Sequence, residues 1–262
     1  MNLKMNNKVA MVAAASKGLG YGIAQTLLQE GCRVSIASRN ADSIKNAAKM
    51  LQETTMGDVD GFTCDVSDID AIETWVESTV KIFGKIDYLV VNAGGPPAGT
   101  FTTFNDQDWF SAFNLTLMSA VRLIRTVYPH MVKNGSGSIL VITSSTIKEP
   151  AEMLLLSNIM RSGVAALAKS LSREFAPFNI RVNNLVPGRF DTDRVRELDA
   201  IASQKEKVTP GLVRQRNCER IPFKRYGTIE EFGAAAAFLL SDISSYTTGE
   251  SLVVDGGTMR SV

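Results

Sequence analysis

Apolar runs of strand length alternate with stretches of helical period along nearly the whole chain. Residues 8–14 read as a strand. Residues 19–30 read as a helix, with apolar positions at Ile23, Leu27 and Leu28. A second strand is predicted at 33–37 and a second helix at 41–54. A short third strand at 61–64 precedes a helix over 68–83. The fourth strand, 86–91, runs into Asn92-Ala93-Gly94-Gly95-Pro96-Pro97, whose glycines and prolines mark a loop. Residues 106–133 form a long helical stretch, 138–143 a fifth strand, 157–175 a helix, and 181–186 a sixth strand stopped by Pro187-Gly188. A polar segment covers 189–225. A last helix over 230–240 and a last strand over 251–254 follow.

Strand and helix in repeated alternation predict a parallel sheet with helices on both faces, a doubly wound α/β fold of about seven strands. Sheets of this kind bind ligands beyond the carboxyl ends of their strands, where the strand order reverses. With no internal repeat, low-complexity tract or linker, we expect a single domain over 1–262, with residues 189–225 as an integrated lid.

Composition narrows the function classes. The chain has 262 residues, 45% hydrophobic, which excludes a disordered chain and allows a sizeable core. Lys and Arg number 28 against 27 Asp and Glu, so the basic excess of a dedicated nucleic-acid binder is missing. The longest apolar runs, 9–15 and 234–240, fall far short of the roughly 20 residues that span a bilayer. The polar start MNLKMNNK predicts no secretory leader. Cys32, Cys64 and Cys218 are widely spaced and contain no CxxC pair, which fits free thiols in a reducing cytoplasm. His130 is the only histidine, so a mechanism or metal site needing two is excluded.

The first strand ends in Ala14-Ala15-Ser16-Lys17-Gly18-Leu19-Gly20 before a helix. Gly18 and Gly20 lack Cβ, so backbone N–H groups at a helix start can approach a pyrophosphate. This turn resembles the TGxxxGxG turn of the short-chain dehydrogenase/reductase family, with Ala14 where the first glycine stands. Further stretches match that family in order: Cys64-Asp65-Val66, Asn92-Ala93-Gly94, Asn114, Ile180-Arg181-Val182-Asn183, Pro187-Gly188 and Val254-Asp255-Gly256-Gly257. The resemblance covers nearly the whole chain and implies a Rossmann-type sheet. It also implies a dinucleotide held by the residues of the turn, by Asp65 and Val66 at the adenine, and by Asn92, Ala93 and Gly94. Pro187, Gly188 and Thr192 complete the implied cofactor set.

The second strand ends at Ser38-Arg39 with no acidic residue at its tip. An acidic side chain there would bind the ribose 2′-hydroxyl of NAD and repel a 2′-phosphate. Arg39 can fork onto that phosphate and Lys17 can add a second charge, which predicts NADP(H) over NAD(H).

The family's catalytic set is Asn, Ser, Tyr and Lys, which implies roles for Asn114 and for Ser144 after the fifth strand. Where the Tyr and Lys belong, thirteen and seventeen residues after Ser144, this chain has Ser157 and Arg161. The register is set by the gapless match of Val164-Ala165-Ala166-Leu167-Ala168-Lys169. Ser157 is too weak an acid to replace a phenol, whereas Arg161 keeps its charge and can bind ribose hydroxyls and stabilise a developing alkoxide. Three readings stand: a reductase using Ser144, Ser157 and Arg161 with water as proton source; a reductase whose acid is Lys148, Glu149 or Glu152; or a nucleotide-binding protein that transfers no hydride.

Residues 189–225 hold ten basic and six acidic side chains. Arg194, Arg196, Arg214, Arg216 and Arg220 dominate the excess, which points to an acidic or carrier-linked substrate. Similar sequences often act on 3-oxoacyl thioesters. They assemble as dimers or tetramers through the helices carrying Asn114 and the Ser157–Arg161 segment, so a homo-oligomer is expected.

Overall fold

The computed structural model describes residues 2–261. Seven strands form one parallel sheet: β1 (Val9–Ala13), β2 (Arg33–Ser38), β3 (Val59–Thr63), β4 (Tyr88–Val91), β5 (Gly137–Ile142), β6 (Ile180–Pro187) and β7 (Ser251–Val254). They lie in the order β3-β2-β1-β4-β5-β6-β7. The order reverses between β1 and β4, which opens a crevice above their carboxyl ends.

Alternation along each strand distributes the core over two faces. Ala10 and Val12 of β1, Val90 of β4 and Leu140 of β5 pack on one side. That side is covered by α1 (Gly18–Gln29), α2 (Ala41–Thr55) and α9 (Ile229–Leu240), through Ile23, Leu51 and Phe232. Met11, Leu89 and Val141 face the other layer, formed by α3 (Ile69–Phe83), α5 (Ser119–Asn134) and α6 (Leu155–Glu174), through Trp75, Leu123 and Val164.

Three expected elements differ in detail. The third strand is Val59–Thr63, earlier than its apolar signal, because it is an edge strand with a mostly exposed, polar sequence. The long helical stretch is broken: α4 (Asp106–Ala112) passes through a π-helical turn (Phe113–Met118) into α5. The Ser119 N–H reaches back to the Asn114 carbonyl, an i to i−5 bond of the kind found at functional sites. The polar segment contains two helices, α7 (Asp193–Glu206) and α8 (Pro210–Arg220), capped by Thr192 and Thr209. Their sequences are too polar to show an apolar stripe.

The shared motif residues beyond the crevice are structural. Arg181 donates to the carbonyls of Leu239, Leu240, Ser241 and Thr247 and so closes the C-terminus of α9. Asn183 pins the strand-seven approach through Thr247 and Glu250. Among the described residues no helix is long and apolar enough to cross a membrane.

Candidate functional site

A cleft of about 470 Å³ lies above the carboxyl ends of β1, β2, β4, β5 and β6. Its floor at one end is the β1–α1 turn. Ala14 has φ +50° and Gly18 φ +64°, so the chain turns through the left-handed region twice. A side chain there is unfavourable for Ala14 and absent for Gly18. Gly20 does not line the cleft; a Cβ on it would lie 2.5 Å from the Ala14 carbonyl oxygen, so it serves the tightness of the turn.

The start of α1 is suited to an anion. Its N-cap Lys17 makes no side-chain cap bond and its first turn has no acidic residue, whereas Asn40, Asp68 and Asn105 cap α2, α3 and α4. The α1 N–H groups therefore face the cleft without an internal acceptor. Ser16, Lys17, Gly18 and Leu19 line it there, together with Ser38, Arg39, Asn40 and Ser43 from the end of β2. Arg39 is exposed and has no carboxylate partner among the described residues. Lys17 pairs with Asp193 of α7 at 3.2 Å.

Val66, Asn92, Ala93, Gly94, Pro187 and Thr192 also line the cleft. Asn92 Nδ2 reaches the Ala14 carbonyl at 3.5 Å and so ties the loop after β4 to the glycine turn. Asp65 turns inward on its own loop, accepting from Ser67 N at 3.0 Å and Ser67 Oγ at 2.8 Å, and presents Val66. Gly188 packs on Asp255, where a Cβ would come within 2.5 Å of the Asp255 Cβ. Its N–H bonds the Val254 carbonyl at 2.9 Å, which explains the pairing of Pro187-Gly188 with the Val254–Gly257 stretch. Cys64 lines the cleft too, but burial pushes its thiol up to about 12, so it stays protonated.

Arg161 reaches the far end of the cleft from α6. Its Nη1 donates to the carbonyls of Ile142 (3.0 Å) and Thr143 (3.3 Å), and its Nη2 to Ala93 (3.4 Å). One guanidinium thus bridges the carboxyl ends of β4 and β5. Burial, reinforced by the positive charge of Arg194, pushes its pKa down to about 10, which leaves it cationic at neutral pH. The other expected catalytic residues stand back. Ser144 caps the short 3₁₀ turn Ser145–Ile147, accepting from Thr146 N at 3.3 Å. Ser157 is half-buried on α6 and is absent from the cleft lining. Asn114 sits in the π turn, donating to the Ser67 carbonyl at 3.4 Å and accepting from Arg122. Lys148, Glu149 and Glu152 are exposed and none lines the cleft. Glu149 accepts the backbone N–H groups of Arg260 and Ser261 instead.

The lid charges are largely neutralised within the lid. Arg214 grips Asp191 with two bonds, at 3.1 and 2.8 Å, and lies over the Tyr226 ring; Arg216 pairs with Glu206 at 3.0 Å and Arg196 with Asp191 and Asp193 at 3.1 Å. These arginines therefore do not form the anion site their number suggested. Arg194 is the one lid arginine in the cleft lining. In the sequence Arg194 is one of the lid arginines with nothing to set it apart, because helix orientation decides which side of α7 faces inward; Thr143, just after β5, carries no sequence signal.

The parallel sheet, the reversal of strand order and the uncapped helix start at the cleft define a doubly wound fold of the Rossmann type. A family model described as enoyl-(acyl carrier protein) reductase matches residues 13–259. The human dehydrogenase/reductase SDR family member 4 is 32% identical over 96% of this chain and 87% of its own length. The 3-oxoacyl-(acyl-carrier-protein) reductase FabG of Chlamydia muridarum is 33% identical over 98% of this chain and 99% of its own. Among solved structures, L-sorbose reductase from Gluconobacter frateurii, complexed with NADPH and L-sorbose, superposes with a TM-score of 0.95 at 28% identity, each chain covered in full. The chain belongs to the short-chain dehydrogenase/reductase family.

Proposed function

We propose that the protein is an NADP(H)-dependent reductase of a carbonyl compound, of the 3-oxoacyl kind, working with Arg161 in place of the family lysine and without the family tyrosine. The observation that carries this reading is the Arg161 guanidinium, a cation fixed by three backbone carbonyls where the cleft meets β4 and β5. The residues fit the cofactor: an uncapped helix start, an open Gly94 and two basic side chains, Lys17 and Arg39, around the cleft. When bound, the cofactor supplies a hydride from its nicotinamide ring.

The chain's own residues do the rest. The N–H groups at Gly18 and Leu19 and the Ser16 hydroxyl hold phosphate oxygens. Lys17 and Arg39 favour a 2′-phosphate, since no carboxylate at the end of β2 competes for the ribose. Arg161 supplies fixed positive charge beside an oxygen that becomes anionic. Burial lowers its pKa to about 10, so the guanidinium still carries its charge at neutral pH and acts through that charge. Ser157 is a poor acid, and the cleft lining offers no carboxylic acid or phenol at that end, so water delivers the proton.

A nucleotide-binding protein that transfers no hydride is the rival reading. It is favoured by Ser144 and Ser157 standing outside the cleft lining. Loss of the reduced-nicotinamide absorbance with a panel of ketones supports the reductase; NADPH binding with no loss across the panel selects the rival. Fluorescence titration with both reduced cofactors tests the preference, and tighter NADH than NADPH binding would refute it.

The free thiols suit a reducing, cytoplasmic setting. Exposed Phe110, Phe113 and Ile159 lie on α4, the π turn and α6. Their exposure supports the homo-oligomer, dimer or tetramer, that we infer through these helices. Sedimentation as a monomer at micromolar concentration would contradict it.

A further inference from the structure

The far end of the cleft holds two guanidinium groups and little negative charge to balance them. Three of Arg161's five N–H groups go to backbone carbonyls, and no carboxylate pairs with it among the described residues. Arg194 differs from most lid arginines in lacking a close carboxylate; Arg220 also has no ion-pair partner among the described residues, but it is exposed and does not line the cleft. Arg189, Arg196, Arg214, Arg216 and Arg225 each meet a carboxylate at 3.2 Å or closer. The partner of Arg194 is Glu197, one turn along α7 at 3.5 Å, an exposed pair of little strength. Arg194 instead lines the cleft and reaches across it: a methyl group on Gly95 would sit 3.8 Å from its Nη2. It thus spans from the lid to the loop after β4, over the end where Arg161 lies.

Two like charges facing one partly dehydrated cleft repel each other; burial is the main cause that lowers the proton affinity of Arg161, and the Arg194 charge adds to it. An anion between them removes that repulsion. The cradle proposed for the cofactor's phosphates is at Gly18, Lys17 and Arg39. Asp193, the residue before Arg194, reaches back to Lys17, whereas the Arg194 side chain is turned away toward Gly95, where a second molecule can supply the anion. Planar guanidinium forks match a carboxylate in geometry as well as charge.

We propose that Arg161 and Arg194 together hold a carboxylate of the substrate, so that the compound reduced is a free oxo acid and not a thioester. The proposal rests on the reductase reading and replaces its 3-oxoacyl thioester with a free acid. Arg194 is then a specificity residue that acts through substrate binding, and the Arg161 charge serves both the carboxylate and the adjacent carbonyl oxygen.

The test uses the full chain, with binding read by calorimetry in the presence and absence of NADPH and initial rates read by absorbance. The probes are acetoacetate and phenylpyruvate, their methyl esters, and the N-acetylcysteamine thioester of acetoacetate. We expect each free acid to bind about tenfold or more tightly than its ester or thioester. Arg194→Gln should remove that advantage while changing NADPH affinity by less than about twofold, and Arg194→Lys should keep part of it. The proposal is overturned if acids and esters bind alike, or if Arg194→Gln weakens NADPH as much as it weakens the acid, which would make Arg194 a phosphate clamp. Acid-selective binding without NADPH consumption would sink the reductase reading alone.

Discussion

Lys17 Nζ lies 3.2 Å from Asp193 Oδ2, which joins the glycine turn to the first residue of α7 across the mouth of the cleft. Lys17 is about two-thirds exposed and Asp193 about half, so the pair adds little stability. Its importance is competitive, because the same lysine is the one proposed to meet the cofactor's 2′-phosphate. Asp193→Asn should free it and tighten NADPH binding about two- to fivefold at low salt, leaving NADH unchanged. Lys17→Ala should weaken NADPH by about tenfold and NADH little. Fluorescence titrations at two salt concentrations check both, and the Asp193→Asn gain should shrink as salt rises.

Ala14 at φ +50° is a non-glycine residue in the left-handed region, at the position where relatives of the family carry glycine. Ala14→Gly should stabilise the protein by about 0.5–1 kcal/mol, the relief of strain exceeding the added chain entropy. Gly20→Ala should cost about 1–3 kcal/mol, since its Cβ would press on the Ala14 carbonyl. Urea unfolding reads both as opposite shifts of the midpoint at constant slope.

Asp199 is a buried carboxylate that holds the lid together. Its Oδ1 accepts from Arg189 Nη1 at 3.2 Å and Asn217 Nδ2 at 3.0 Å, and its Oδ2 from Tyr226 Oη at 2.8 Å. Asp199→Ala leaves three donors unpaired and should destabilise the protein by about 2–4 kcal/mol. The damage should fall on α7 and α8, seen as faster proteolysis within 189–225, while the sheet keeps its protection against hydrogen exchange.

Glu149 couples the loop after β5 to the C-terminal segment by accepting from Arg260 N at 2.7 Å and Ser261 N at 2.8 Å. The backbone N–H groups of Ser261 and Arg260 hold its carboxyl below the ordinary carboxylate range. With the folded pKa depressed, the contact is complete above the unfolded value of about 4.3 and is lost as pH falls through the folded one. The protection of the Arg260 and Ser261 N–H groups, corrected for intrinsic exchange, should therefore fall as acid protonates Glu149, and Glu149→Ala should produce the same release at neutral pH.

The alternation of apolar strands with helix-period stretches was enough to give the sheet, its helices and the turn at Gly18, because burial on both faces forces that pattern on every central strand. The edge strand Val59–Thr63 and the lid helices were harder to read, since an edge or a surface helix needs few apolar residues. The register of the helix that follows assigns Ser157 and Arg161 to the YxxxK positions; of the two, only Arg161 lines the cleft. What the one-dimensional record could not contain is the pairing of polar side chains. Arg214 and Arg216 look as available as Arg194 in the sequence, yet the fold gives the first two Asp191 and Glu206 and turns the third into the cleft. Asn114 and Asp65 likewise have their partners chosen by neighbouring loops. A charged group's role depends on which counter-charge or carbonyl lies within about 3 Å, and that distance exists only once the chain is folded.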